Sequence, residues 1–359
     1  MECAVYGGFC NVNAPAVKTT SDNLEENDMS SLAEAIRLEK ELQRRLRAVD
    51  IESWYHSLEE HTFQSAFVEL SIEEAKALRS EYWNRKGGKS DSAQHTTTIT
   101  GLKEKIESAI RTLPSQEVFC KLSSRSPKDS LFARRKAFAL VCQQLSSLKE
   151  EGYIITANDI SATILSATIR SLLCTDSDQV IENFVTSERV CEDDLPLALD
   201  FAANWSQHII IRTYTTILPH QEFRAFVFDN ELTGLCQYYD GAFYPHLLAR
   251  RDDISQLARR FFHSIRDRLP KDPAEYSMDL AIDLERQKVT LIELNPFGRP
   301  DGLGTGTVLF NNRDEGDLSV LFGRLPFQCR VVEEPPYKDF TALKLRGELR
   351  DWLEENRMI

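Results

Sequence analysis

The 359-residue chain lacks the short signatures that usually announce a chemistry. No glycine-rich GxxxxGK is present, which excludes a Walker phosphate loop, and no HExxH sets up a zinc hydrolase. Its 7 histidines are scattered, with no nearby Ser or Cys arrangement for nucleophilic catalysis, so none is given a role. None of the 8 cysteines forms a CxxC pair, which argues against a structural zinc site or a thioredoxin-type redox centre. They are expected to be reduced, mostly buried thiols of a cytoplasmic protein. No stretch is long and apolar enough to span a bilayer, and the opening MECAVYGGFCNVNAPAV lacks the basic region and apolar run of a secretory signal. Basic residues are in deficit, with Lys+Arg 43 against Asp+Glu 56 and a net charge of -13. Such a surface repels nucleic acid and anionic membranes at long range, so any phosphate must be held by local cations. What remains, 42% hydrophobic and 28% charged residues, suits an ordinary globular protein of one large or two modest domains.

Residues 1–30 are rich in Asn, Ser, Thr, Pro and acids, too poor in apolar surface to offset the entropy of ordering, and a disordered tail is expected there. Ser31 with Glu34 forms a capping-box pattern, and Leu32, Ile36, Leu42, Leu46 and Val49 recur at helical spacing, predicting a helix over 31–50. The core is expected over 51–330, divided near residue 175. Within it, a strand near Phe67, a helix capped by Ser71 and Glu74, and a flexible linker GGKSDSAQHTTTIT lead to a helix from about Leu102 to Leu113. The strand VFCKL, the loop SSRSPKDS, a helix from about Leu131 and helical turns from Ser161 to Leu173 follow. HIIIRTYTTI is strand-like. The segment EFRAFVFDNELTGLCQYY reads as a hairpin turning at Asp229 and Asn230, and YSMDLAIDLERQKVTLIELNPF as another turning around Glu285 to Gln287. Between them, ISQLARRFFHSIRDRL reads as a helix. Pro335 and Pro336 mark a linker before a final helix through ALKLRGELRDWLEE. The pattern predicts an α+β fold.

Period-two alternation in VTLIELNPF puts Leu291, Glu293 and Asn295 on one face. Glu293 sits between apolar residues, as does Asp279 in SMDLAID, and antiparallel pairing can set the two carboxylates side by side. Two arrangements would relieve their repulsion: a magnesium ion with its preference for hard oxygen ligands, or arginine and backbone donors. The residues alone leave both open. Lys121 ends its strand ahead of Ser123, Arg125 and Lys128, a run that either holds phosphate or forms an exposed turn. Arg212 lies in an apolar strand and is expected to face phosphate. Arg224 can pair with phosphate or with Glu222. Tyr238, Tyr239 and Tyr244 with Phe243 can form an aromatic wall against a base or a protein partner, but read rather as core and rim packing.

Taken in order, SWYHSLEEHTFQSAFVEL, FCKLSSRSPKDS, IIIRTYTTILPHQEFRAFVFDNELTGLCQ and MDLAIDLERQKVTLIELNPF resemble the cell division cycle protein 123 family, also called D123, over roughly 52–310. The resemblance implies an ATP-grasp fold of two α+β subdomains enclosing a nucleotide. It further implies Lys121 and Arg212 near the phosphates, Gln237 near the nucleotide, and Asp279, Glu293 and Asn295 around magnesium. Ser123 and Arg224 complete the expected ATP-binding set. The family pattern has Asp where Glu293 stands, a lysine where Val185 stands, and an Arg-Asp pair where Tyr238 and Tyr239 stand. The implied role is assembly chaperone of eukaryotic translation initiation factor 2, docking its gamma subunit. An ATP-grasp ligase that activates a carboxylate as an acyl phosphate is the enzymatic alternative, and a scaffold with an empty site is a third reading.

Overall fold

The computed structural model describes residues 37, 41, 44–88, 92–200, 205–297 and 306–359. The tail expected over 1–30, and much of the helix expected over 31–50, lie outside those residues. Residues 37, 41 and 44–48 are helical.

Two sheets carry the chemistry. The first runs in the order β1-β4-β2-β3 (Ser65–Glu69, His208–Thr213, Val118–Leu122, Leu173–Cys174), with every pairing antiparallel. Cys120 and Leu122 lie opposite Ile211 and Ile209. That face packs on α2 (Ile72–Arg85), α3 (Ser92–Thr112) and α6 (Ser177–Phe184). The other face carries Lys121 opposite Ile210 and Phe119 opposite Arg212. Period-two alternation thus turns Lys121 and Arg212 the same way, toward the second sheet.

The second sheet is ordered β8-β7-β5-β6-β9 (Lys288–Pro296, Tyr276–Asp283, Glu222–Phe228, Glu231–Gln237, Gln328–Arg330), with only β9 parallel to its neighbour among the described strands. Asp229 and Asn230 join β5 to β6 with φ of 53° and 57°, the double left-handed turn that suits a two-residue hairpin. Gln287, at φ 52°, closes the β7–β8 hairpin. Phe223, Ala225, Val227, Met278 and Leu280 form one core with α1 (Ile51–Leu58) and α7 (Arg251–Ile265). Away from the sheets, α4 (Leu131–Glu150), α5 (Ala157–Ser171) and α9 (Glu348–Glu355) share a third core. No helix among the described residues is long and apolar enough to cross a membrane.

Three expectations need correction. The alternation in β8 is broken: Asp279 pairs with Glu293, whereas the next residue, Leu280, pairs with Leu291, leaving Ile292 as the extra residue of a bulge. Leu291 therefore joins Leu294 in the core rather than Glu293 on the opposite face. The stretch read as a flexible linker is helical from Ser92 onward. β-Branched threonines are poor helix formers, but burial of Leu102, Ile106 and Ile110 on the sheet outweighs that preference. The final helix starts only at Glu348, because Gly347 adopts φ 60°; Leu343 and Leu345 are buried as irregular chain instead.

The structure also contains α8 (Glu315–Leu321), which the sequence reading did not anticipate. The six described cysteines are all free and none is fully exposed.

Candidate functional site

The expected carboxylates do meet. Asp279 on β7 faces Glu293 on β8 and Arg224 on β5, so three adjacent strands put two acids and a guanidinium in one row. Arg224 grips Asp279 with both arms, Nε to Oδ1 at 2.8 Å and Nη2 to Oδ2 at 2.9 Å. Asn295 Nδ2 donates to the same Oδ2 at 3.0 Å. Asp279 is wholly buried and Arg224 nearly so. The bland pairing of Arg224 with Glu222 is not the one observed.

The first sheet supplies a second ion pair across the gap: Lys121 Nζ donates to Glu293 Oε2 at 2.9 Å. Burial opposes ionisation of Glu293, but the nearby ammoniums of Lys121 and Lys128 and the Arg224 guanidinium outweigh it, holding this carboxyl well below the usual range. Arg212 also reaches across, Nη1 donating to the Ile292 carbonyl and Nη2 to Thr62 Oγ1, each at 2.6 Å. Thr62 Oγ1 in turn donates to the Leu291 carbonyl at 2.7 Å. The bulge thus has its carbonyls bound from the opposite sheet, which fixes the twist that aims Glu293 and Asn295 inward. Arg212 Nε is buried without a hydrogen bond among the described residues. Burial pushes its pKa down to about 10, so it remains a cation at neutral pH.

Lys128, from the loop after β2, comes to the same place. Its Nζ donates to the Tyr238 hydroxyl at 3.3 Å and lies 5.1 Å from the centre of that ring. The Arg224 guanidinium lies 4.8 Å from the same centre. One aromatic ring thus contacts both cations without neutralising either.

Two residues expected at the site are engaged elsewhere. Ser123 Oγ accepts from the His208 backbone N–H at 2.9 Å and donates to Glu52, which is also 2.8 Å from His208 Nδ1. Gln237 spends its amide on the backbone of Tyr239, Ala242 and Val332, at 2.6, 2.8 and 3.2 Å, and so shapes the loop that presents Tyr238. Val185 is buried in the first core and has no polar group to offer.

The sequence reading missed Thr62 and Gly306. Gly306 has φ +64°, and a Cβ there would lie 2.1 Å from Arg224 Nη1. Alanine at Gly306 should therefore displace the guanidinium as well as strain the backbone. Gly152, at φ +81° with nothing within 4 Å, isolates the backbone cost. In urea unfolding, Gly306→Ala is expected to lose about 1–3 kcal/mol more than Gly152→Ala, the usual cost of overpacking. Equal losses would mean that Arg224 does not depend on that gap.

The two sheets and the helices packed on them define a mixed α+β protein with a buried cluster of charges between its sheets. The chain belongs to the D123 family, whose model matches residues 33–314. It is 28% identical over 195 residues to the translation initiation factor eIF2 assembly protein of Xenopus tropicalis, a match covering 54% of this chain and 49% of that one. It is 30% identical over 141 residues to cell division cycle protein 123 of Aspergillus terreus, covering 39% and 31%. The chain thus spans about half or less of the length of the curated relatives it matches. The solved structure of Cdc123 from Schizosaccharomyces pombe superposes with a TM-score of 0.53 at 20% identity, over 81% of this chain and 98% of that one, which establishes a shared fold.

Proposed function

We propose that the cleft between the two sheets binds ATP with magnesium, and that the loaded protein acts in the cytoplasm as an assembly factor for eIF2 by docking its gamma subunit. The observation that carries the nucleotide part is the charge balance of the cleft. Lys121, Lys128, Arg212 and Arg224 converge with Glu222, Asp279 and Glu293, four cations to three carboxylates in a poorly solvated space. A site that gathers four cations beside ready oxygen ligands suits a polyphosphate carried by a divalent cation.

The donor set passes a test of fit for magnesium. Among the described residues no three His, Cys, Asp or Glu side chains form a complete protein cage. Magnesium does not need one, since it commonly takes one or two carboxylates together with phosphate oxygens and water. Among the described residues, Glu293 makes a hydrogen bond through only one of its oxygens, and Asn295 donates through nitrogen, which leaves its carbonyl oxygen to act as a ligand. Asp279 would be free to act as a ligand only with Arg224 turned from it toward phosphate. Bound there, the ion would neutralise the polyphosphate and order its oxygens. Lys121, Arg212 and Arg224 are the cations that would hold the phosphates. Gln237 acts indirectly, through the Tyr238 loop. Ser123 braces the end of β2.

The assembly part rests on family membership and on the relatives named as eIF2 assembly proteins. Binding alone is enough for such a role: a nucleotide that favours one arrangement of the two sheets makes that arrangement the docking form. Co-precipitation of the purified gamma subunit tests this. Recovery is expected with MgATP and is expected to fall several-fold with chelator or with Glu293→Gln. Equal recovery under all conditions would contradict nucleotide-dependent docking, and no recovery under any would contradict the partner.

A further inference from the structure

Two histidines meet at the open end of the β5–β6 hairpin. His220 lies in the turn Pro219–Gln221 that enters β5, and His246 in the short helix Pro245–Ala249 that follows β6. Their ring centres are 4.7 Å apart and the rings are perpendicular. Tyr244 packs on both, at 5.3 Å from His220 and 6.0 Å from His246. Among the described residues, neither imidazole makes a hydrogen bond. The backbone that carries them is nevertheless anchored. Leu218 and Gln221 close their turn through two bonds of 2.9 and 2.8 Å. Asn158 of α5 grips both backbone groups of Phe243, at 3.1 and 2.8 Å, just ahead of Tyr244. Burial holds both imidazoles below the usual histidine range, with His246 adding to the effect on His220, and Arg250 to that on His246 against Glu285. Both rings are therefore neutral at pH 7 and keep a lone pair for a ligand.

We infer that His220 and His246 form a two-histidine site for a divalent cation of the zinc class, with water completing its coordination, and that the ion pins the chain entering β5 to the chain leaving β6. Imidazole suits zinc, copper and nickel, whereas magnesium prefers oxygen, so this site and the cleft select different metals. Zinc holds an imidazole nitrogen at about 2.0–2.1 Å, which sets two rings on one tetrahedral ion with their centres about 5 Å apart. The observed spacing is close to that, and no hydrogen bond opposes turning the rings about their Cβ–Cγ bonds to aim both lone pairs at one point. Burial pushes the Tyr244 hydroxyl up, so it stays protonated and walls the site rather than ligating. Glu285 places a carboxylate beside His246 but spends it on Arg250, at 2.6 Å. Among the described residues no set of three His, Cys, Asp or Glu forms a protein cage, so the ion would be exchangeable rather than a permanent part of the fold.

Calorimetry of the full chain with zinc chloride tests this. Wild type is expected to bind zinc, and excess magnesium chloride is expected to leave that binding unchanged. His220→Gln and His246→Gln are each expected to weaken it by at least about tenfold, no less than the loss of a supporting residue costs a metal site. His263→Gln, exposed on α7, is expected to bind as wild type does. Zinc should raise the melting temperature of wild type and His263→Gln and leave that of the other two variants where it was. In chelator, His246→Gln should melt with wild type, because the side chain is exposed, so a lost zinc response is not a lost fold.

A wild type that binds no zinc, affinity unchanged in both site variants, a loss in only one of them, or an equal loss in His263→Gln would overturn the inference. None of these outcomes bears on the nucleotide reading, which is tested with magnesium.

Discussion

Asp279→Ala is expected to destabilise the unliganded protein by about 3–5 kcal/mol, the usual cost of breaking a buried ion pair by removing one partner. The charge left behind is Arg224, held by two hydrogen bonds to the lost carboxylate and nearly sealed from water. Asn295 loses a partner too, but it is only partly buried and water can replace the bond. The paired variant Arg224→Met with Asp279→Leu removes both charges at similar volume. It is expected to lie within about 1 kcal/mol of wild type, or above it, since buried pairs seldom outweigh their own desolvation. Urea unfolding of the four proteins gives the coupling directly. If Asp279→Ala costs no more than an exposed substitution, the pair is not the buried unit described here. The prediction also bears on function: a pair costly to break but cheap to delete reads as retained for its ligand rather than for the fold.

Much of this arrangement was legible in the sequence because it depends on local rules. Strand-like composition marked β4, β5 and β7, and Asp229 with Asn230 marked a hairpin turn that the backbone adopts with both residues left-handed. Ser71 with Glu74 marked a capping box that forms. Pairing the two C-terminal hairpin strands then placed Asp279 against Glu293. What escaped the reading was decided at long range. The bulge at Ile292 is held by Arg212, 80 residues earlier in the chain, and nothing in LIELNPF announces it. Arg224 pairs with an acid on the neighbouring strand rather than with Glu222 on its own, a choice fixed by sheet order. Lys128 was visible as one cation in a polar loop, but its position beside Tyr238 depends on how that loop folds back. One local signal was available and was passed over: Thr156 with Asp159 caps α5 and starts it earlier than the helical turns read from Ser161.

The larger functional effect is expected at Glu293. This carboxylate joins Lys121 of one sheet to the Asp279 row of the other and is proposed as a magnesium ligand. Glu293→Gln keeps the shape and a hydrogen-bond acceptor for Lys121 but removes the charge a divalent ion requires. The unliganded fold should lose some stability as well, since a neutral amide keeps a hydrogen bond to Lys121 but leaves its buried ammonium without the counter-charge. MgATP affinity is expected to fall by at least about tenfold, the loss of a charge-assisted contact.

The central claim is most directly tested by thermal unfolding of the wild-type chain with ATP and magnesium, set against ATP with chelator. At one hundred times the dissociation constant, binding should stabilise the folded form by about 2.7 kcal/mol. That corresponds to a rise on the order of 4 °C for a chain of this size, absent with chelator and no more than about half as large in Glu293→Gln. A melting temperature that does not move with MgATP, or moves equally without the metal, would contradict a cleft whose buried charges are arranged for magnesium and polyphosphate.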